Sequence, residues 1–263
     1  MVRAMKGATV ADPVLEARKI CKTYGHVTAL DNVDFEVRPG EVVALIGDNG
    51  AGKSTLVKIL SGTVIATSGE VFVDGQLATI SRPMDARNYG IEIVHQDLAL
   101  APHLNPVQNM YLGREVMRRG PLGKFGFMDT AAMRKGSKAA FDDLGATVRN
   151  FSGDVGSMSG GQKQGVAVAR AVAWAHKIVL LDEPTAALGV VQTKSVLDLV
   201  RRVRDRGIGV VFISHSMPHV MAVADEIQVL RLGRRVGVYR AADTNMEELV
   251  GAMTGAVTQE EAK

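Results

Sequence analysis

Apolar residues in this chain come in short runs of two kinds. Val42–Ile46, Ile178–Leu181 and Gly209–Ile213 are continuous and rich in β-branched residues. Such runs predict strands buried on both faces. Ile91–Val94 is another buried strand, and Val14–Cys21, Val33–Val37, Glu226–Leu230 and Arg235–Tyr239 add further strands. Tyr24-Gly25 and Arg38-Pro39-Gly40 are turn signals between the early ones, and Gly69–Gly75 is a strand closed by Asp74-Gly75. Helical stretches fall over Thr55–Leu60, Pro83–Asn88, Pro106–Leu112, Asp129–Leu144, Val190–Arg206 and Asn245–Met253, with a short one after Pro218. The alanine- and valine-rich stretch from Ser159 to about Ala175 predicts a helix buried on several sides. Strands alternating with helices predict an α/β fold with a parallel sheet and crossovers.

Residues 97–160 break this rhythm. They hold few β-branched runs, and Arg118–Lys124 between their helices reads as an exposed loop. We therefore expect a helical subdomain over about 97–160, inserted into one domain spanning 14–255. Residues 1–13 are expected to be a flexible arm and 256–263 a frayed tail. A chain of 263 residues that is 46 % hydrophobic can bury a sizeable core. The net charge of +3 gives no electrostatic argument for nucleic acid. Cys21 is the single cysteine, a packing residue in a strand, so no intrachain disulfide can form. The N-terminus lacks the apolar segment of a signal peptide, and no run is long enough to span a membrane. A membrane role is expected to come through partners.

The stretch Gly47-Asp48-Asn49-Gly50-Ala51-Gly52-Lys53-Ser54-Thr55 fits G-x-x-x-x-G-K-[ST] between a strand and a helix. The glycines let backbone N–H groups converge on a polyphosphate, and the helix start adds positive partial charge. Lys53 is placed to reach the β- and γ-phosphates, and the Ser54 hydroxyl to bind Mg²⁺. At the end of a central strand, Asp182 and Glu183 supply a Mg²⁺ ligand and an acceptor for the proton of an attacking water. Met158-Ser159-Gly160-Gly161-Gln162 opens the alanine-rich helix with a hydroxyl and exposed N–H groups. A capped helix start accounts for Ser159 but not for two glycines.

Together these segments resemble the nucleotide-binding subunit of an ATP-binding-cassette (ABC) transporter. Gly47–Thr55 matches Walker A, Ile178–Glu183 Walker B, and Ser159–Gln162 the Leu-Ser-Gly-Gly-Gln signature with Met158 in the leucine position. Gln96 matches the glutamine loop, His215 the switch histidine, and Tyr24 the aromatic that stacks on adenine. All occur in family order over roughly 14–253. Two positions depart: the loop after Walker B reads Ala186-Ala187-Leu188-Gly189 without the usual aspartate, and His95 precedes the glutamine. The first departure, with Ile213-Ser214-His215-Ser216-Met217, resembles the monosaccharide importers of the ribose, xylose and fructose type, nearest their single-cassette, fructose-type members.

The resemblance implies a P-loop NTPase fold: a mostly parallel RecA-like core, an antiparallel β subdomain and an inserted helical subdomain. It implies an ATPase that uses ATP and Mg²⁺, with Ser54, Gln96 and Asp182 around the metal and Glu183, His215 and Gln96 in catalysis. It also implies a homodimer in which Ser159–Gln162 of one subunit covers the nucleotide held by the other. A membrane-spanning permease docking near Gln96, and indirectly a periplasmic or secreted sugar-binding protein, complete the expected partners. The expected location is peripheral, on the cytoplasmic face of the bacterial inner membrane. The alternative is a cassette ATPase acting on DNA or ribosomes. A GTPase would need an Asn-Lys-x-Asp segment, which the chain lacks, and a non-hydrolysing module would not need Glu183 and His215.

Overall fold

The computed structural model describes residues 11–145, 148, 150–186 and 188–256. Its strands are β1 (Leu15–Tyr24), β2 (Val27–Val37), β3 (Val42–Ile46), β4 (Ser68–Val73), β5 (Gln76–Leu77), β6 (Ile91–Val94), β7 (Ile178–Asp182), β8 (Gly209–Ile213), β9 (Glu226–Arg231) and β10 (Arg234–Arg240). Its helices are α1 (Lys53–Leu60), α2 (Pro83–Asn88), α3 (Pro106–Tyr111), α4 (Pro121–Lys124), α5 (Thr130–Leu144), α6 (Gly160–Trp174), α7 (Val190–Asp205), α8 (Met217–Val223) and α9 (Met246–Thr254).

One sheet has the order β10-β9-β3-β8-β7-β6. Its strands are parallel except β10, which pairs antiparallel with β9. The second sheet, β2-β1-β4-β5, is antiparallel throughout. Continuous apolar runs form the centre of the first sheet because both of its faces are covered. Val42, Ala44 and Ile46 of β3 belong to the core shared with α6 to α9. Val43 and Leu45 belong to the core shared with α1 and the antiparallel sheet. β7 and β8 divide their residues the same way, as the two-residue period of a strand requires.

Between β6 and β7 the described residues form helices and turns, joined by one isolated bridge between Met117 and Met128. Here the structure corrects the expected loop over Arg118–Lys124, which contains the single helical turn α4 begun by Pro121. A 3-10 turn, Val155–Ser157, precedes α6. β2 begins at Val27, earlier than its apolar stretch suggests, because its pairing with β1 continues to Tyr24↔Val27. Cys21 is half-buried in β1, and its sulfur accepts the Asn32 N–H at 3.3 Å. Apart from residues 11–13 and 256, the expected arm and tail lie outside the described residues.

Candidate functional site

The loop between β3 and α1 is shaped by close backbone approach. At Gly47, with φ +148°, an added Cβ would stand 2.2 Å from the Leu230 carbonyl oxygen. At Gly52, with φ +104°, it would stand 2.6 Å from Leu30 Cδ2 and 2.7 Å from the Ala29 oxygen. No other residue fits either place. The start of α1 has no side-chain cap and no acid in its first turn, so its N–H groups and positive end are available to an anion. Lys53 lies over the loop, its Nζ donating to the Gly47 oxygen at 2.6 Å and the Asp48 oxygen at 3.0 Å. Burial pushes the Lys53 ammonium below the ordinary lysine range, while the Glu183, Asp48 and Asp182 carboxylates oppose that shift.

Asp182 ends β7, two strands from β3 in the sheet. Burial raises its carboxyl above the ordinary range and the Glu183 charge adds to that, while His95, Lys53 and Lys58 pull it back. Glu183 follows in the left-handed region at φ +51°, unusual for a side chain of this kind and a mark of a backbone held by its surroundings. Its N–H donates to the Ile213 carbonyl at 3.1 Å, which ties the turn to the end of β8. Its Oε2 is buried without a hydrogen-bond partner. His215 Nδ1 lies 3.0 Å from that oxygen but is not aligned as a hydrogen bond.

These groups share one cleft of about 900 Å³. It is lined by Tyr24, by Gly47, Asp48, Asn49, Gly50, Ala51, Gly52, Lys53, Ser54 and Thr55, and by Gln96, Asp182, Glu183 and His215. Tyr24 is 46 % exposed at the end of β1, with Lys22 Nζ 5.0 Å from its ring centroid. The signature segment is not part of the cleft. Ser159, Gly161 and Gln162 line a separate cavity of about 180 Å³ beside α7. Ser159 and Gln162 form a reciprocal capping box at the start of α6. A packing reason exists for Gly161, where a Cβ would stand 2.6 Å from Gln192 Cγ. At Gly160 the nearest atom would be Leu188 Cδ2 at 3.5 Å, so packing does not demand glycine there.

The donors fit a nucleotide-bound Mg²⁺. Ser54, Gln96 and Asp182 offer a hydroxyl, an amide oxygen and a carboxylate in the same cleft. Among the described residues no group of three or more His, Cys, Asp or Glu could form a metal cage. Few protein oxygens, completed by phosphates and water, is the arrangement Mg²⁺ prefers.

Sequence reasoning missed three sets of contacts that hold this site. Arg170 of α6 donates to the Ala99 oxygen at 2.8 Å and the Leu98 oxygen at 3.0 Å, clamping a turn in which both residues have positive φ. Asn109 of α3, fully buried, bonds to Ala101, Leu104 and Asn105 in the segment after Gln96. Thr185 Oγ1 and His219 Nδ1, 3.0 Å apart, join the turn after Glu183 to the helix after His215. A lone cation within the apolar run 166–174 of α6 was a visible signal for Arg170. The other two depend on folding alone.

The family description ABC transporter matches residues 30–186. The fructose import ATP-binding protein FrcA of Rhizobium meliloti is 51 % identical over 247 residues, covering 93 % of this chain and 95 % of that protein. The xylose/arabinose import ATP-binding protein XylG of Sulfolobus acidocaldarius is 43 % identical, with 92 % and 94 % covered. The ribose import ATP-binding protein RbsA 1 of Burkholderia ambifaria is 42 % identical over 92 % of this chain but only 47 % of its own length. Among solved structures, the ADP conformation of the cassette MJ1267 matches with a TM-score of 0.77 at 25 % identity, covering 96 % of this chain and 99 % of that one. The dimeric structure of the cassette MJ0796 matches with a TM-score of 0.72 at 26 % identity, over 86 % and 98 %.

Proposed function

The chain belongs to the ABC transporter family of ATP-binding proteins, and from that membership we propose that it is the ATP-hydrolysing subunit of a bacterial monosaccharide importer. The convergence of Lys53, Ser54, Gln96, Asp182, Glu183 and His215 in one cleft carries the hydrolytic reading. The sugar class, a fructose-, ribose- or xylose-like monosaccharide, rests on relatives named for import of those sugars. Those names favour transport over action on DNA or ribosomes.

In this reading the loop N–H groups and Lys53 hold the β- and γ-phosphates. Ser54, Gln96 and Asp182 would hold Mg²⁺, whose charge neutralises the phosphate oxygens when bound. The unpartnered Glu183 Oε2 accepts a proton as water attacks the γ-phosphorus and the bond to the ADP oxygen breaks. His215 stands beside that oxygen, placed to contact the γ-phosphate. Tyr24 offers its ring to the base. Catalysis is mainly positioning and charge stabilisation.

The separation of the signature from the cleft within one chain supports a two-fold homodimer, each Ser159–Gln162 segment completing the other subunit's site. A cavity of about 230 Å³ between the core and the helical insertion is the proposed permease site. It is lined by Glu92, His95, Leu112, Arg114, Arg170 and Trp174, among others. Glu92, 8 % exposed, is paired with Arg114, whose guanidinium lies 4.8 Å from the Trp174 ring centroid. No helix among the described residues is long and apolar enough to cross a membrane. The chain then works as a peripheral protein at the cytoplasmic face, and a periplasmic or secreted protein delivers the sugar.

The test mixes Lys53→Ala subunits with Ser159→Arg subunits, both carrying Glu183→Gln so that trapped ATP is not hydrolysed. Each heterodimer has one site with both defects and one intact site. Isolated heterodimers should trap one ATP where either homodimer traps none. Heterodimers that trap no more than the homodimers would refute the shared site.

A further inference from the structure

The segment after Leu112 has no part in the nucleotide cleft. Its ends are joined by the bridge between Met117 and Met128 and by the Arg118 N–H, which donates to the Phe127 oxygen at 2.9 Å. Inside it, the Phe127 N–H donates to the Leu122 oxygen at 3.1 Å and the Phe125 N–H to the Pro121 oxygen at 3.2 Å. The loop is therefore closed by its own backbone. None of the α4 residues within it is buried.

Its side chains do not suit water. Phe125 is 80 % exposed and Phe127 55 %, with Leu122, Met117 and Met128 close behind. Clustered exposed apolar side chains of this size mark a contact surface. The same span, 116–128, carries Arg118, Arg119 and Lys124 and no acid. These three cations are exposed and form no ion pair among the described residues. The bracketing acids are engaged elsewhere: Glu115 Oε1 accepts the Gly113 N–H at 3.0 Å, and Asp129 caps α5 by accepting the Ala132 N–H at 2.9 Å.

We infer that loop 116–128 is a membrane-surface contact, with Phe125, Phe127 and Leu122 entering the headgroup boundary and Arg118, Arg119 and Lys124 pairing with anionic lipid. The charge decides the occupant. Exposed aromatics flanked by unpaired cations, with no acid among them, have the composition of an interfacial anchor, and the cytoplasmic leaflet supplies the complementary charge. The loop's approach to that leaflet rests on the proposed permease site, because Leu112 and Arg114 at its root line that cavity. Lipid affinity of the isolated chain does not depend on it. The membrane role expected to come only through partners would then be partly the chain's own.

The experiment is co-sedimentation of the purified full chain with vesicles of phosphatidylglycerol and phosphatidylcholine in equal parts, against phosphatidylcholine alone. The wild type should bind the anionic vesicles and not the neutral ones, and added salt should release it. Arg118→Gln with Arg119→Gln should lower the partition coefficient on the order of 30-fold, from the usual contribution of a cation at an anionic surface. Phe125→Ser with Phe127→Ser should lower it about tenfold or more. Unchanged nucleotide affinity in both variants establishes that they are folded. No binding by the wild type, equal binding to both vesicles, or binding insensitive to the substitutions overturns the inference. If the wild type ignores both vesicles while the variants lose transport in the assembled importer, the loop is a protein contact and the membrane reading is wrong.

Discussion

Asn109 holds the segment that follows Gln96, and its replacement has a cost that can be worked from the structure. Its Oδ1 accepts the Ala101 N–H at 2.8 Å, and its Nδ2 donates to the Ala101, Leu104 and Asn105 oxygens at 3.0, 3.1 and 3.2 Å. Asn109→Leu keeps the branching and the number of side-chain heavy atoms and removes all of these bonds, while its bulkier methyl groups add to the cost at this buried site. The three carbonyls retain other donors, namely the N–H groups of Leu104, Val155 and Asn109. The Ala101 N–H keeps none of the bonds described here. One orphaned donor costs about 1–3 kcal/mol, and weakening three already satisfied acceptors adds less. The expected loss is about 2–4 kcal/mol. Asn109→Asp should cost more at neutral pH, because it buries a carboxylate against three carbonyl oxygens. That site raises the carboxyl's folded pKa, so its stability contribution is present below the unfolded carboxylate value and lost as pH rises through the folded one. The Asp variant should therefore recover in acid while the Leu variant does not. Urea unfolding monitored by circular dichroism reads this as a lower midpoint at unchanged slope. A loss below about 1 kcal/mol for Asn109→Leu, or an Asp variant no worse than the Leu variant at neutral pH, would refute the reasoning.

The other predictions concern the cleft. Glu183→Gln should retain ATP affinity and lose turnover about 10²–10⁴-fold, the usual cost of removing a general base; near-normal steady-state phosphate release would remove Glu183 from the mechanism. Lys53→Ala should weaken nucleotide binding itself, and an unchanged dissociation constant in a fluorescent-nucleotide titration would contradict the phosphate assignment. Asp182→Asn should abolish turnover yet stabilise the nucleotide-free protein. Because the folded Asp182 pKa is raised, the wild type loses stability as pH rises through that value, and the variant's melting-temperature advantage should grow from acid to neutral pH. An advantage that shrank over that range would be the wrong sign. Tyr24 offers a ring face that is blind to base edges, so GTP should also be hydrolysed, and strict rejection of GTP would require base-specific hydrogen bonds.

What the sequence revealed and what it hid differ by sequence distance. The bounds of β3, β6, β8 and α2 match their apolar runs and the Pro83 start, because burial on both faces and proline's fixed φ act locally. The phosphate loop was legible because its groups are neighbours in the chain. β2 was underestimated because Val27 and Thr28 are exposed and pair through backbone bonds that hydropathy does not register. Arg170 with Leu98, Asn109 with Ala101, and Thr185 with His219 were invisible as pairs, since only the folded chain brings them together. Gly161 was read as an N–H donor, and only the packing of Gln192 supplied the steric reason for it.

The order β3-β8-β7 fixes the breadth of the cleft by backbone spacing. Lys53 follows the first of these strands, His215 the second and Glu183 the third. Parallel neighbours lie about 4.8 Å apart, so the lysine strand and the carboxylate strand are separated by about 9.6 Å. Hydrogen bonds of a buried sheet, rather than adjustable loop contacts, serve as the gauge. Thermal inactivation and melting of the central sheet should then be one event, with no interval in which a folded core carries a slackened site.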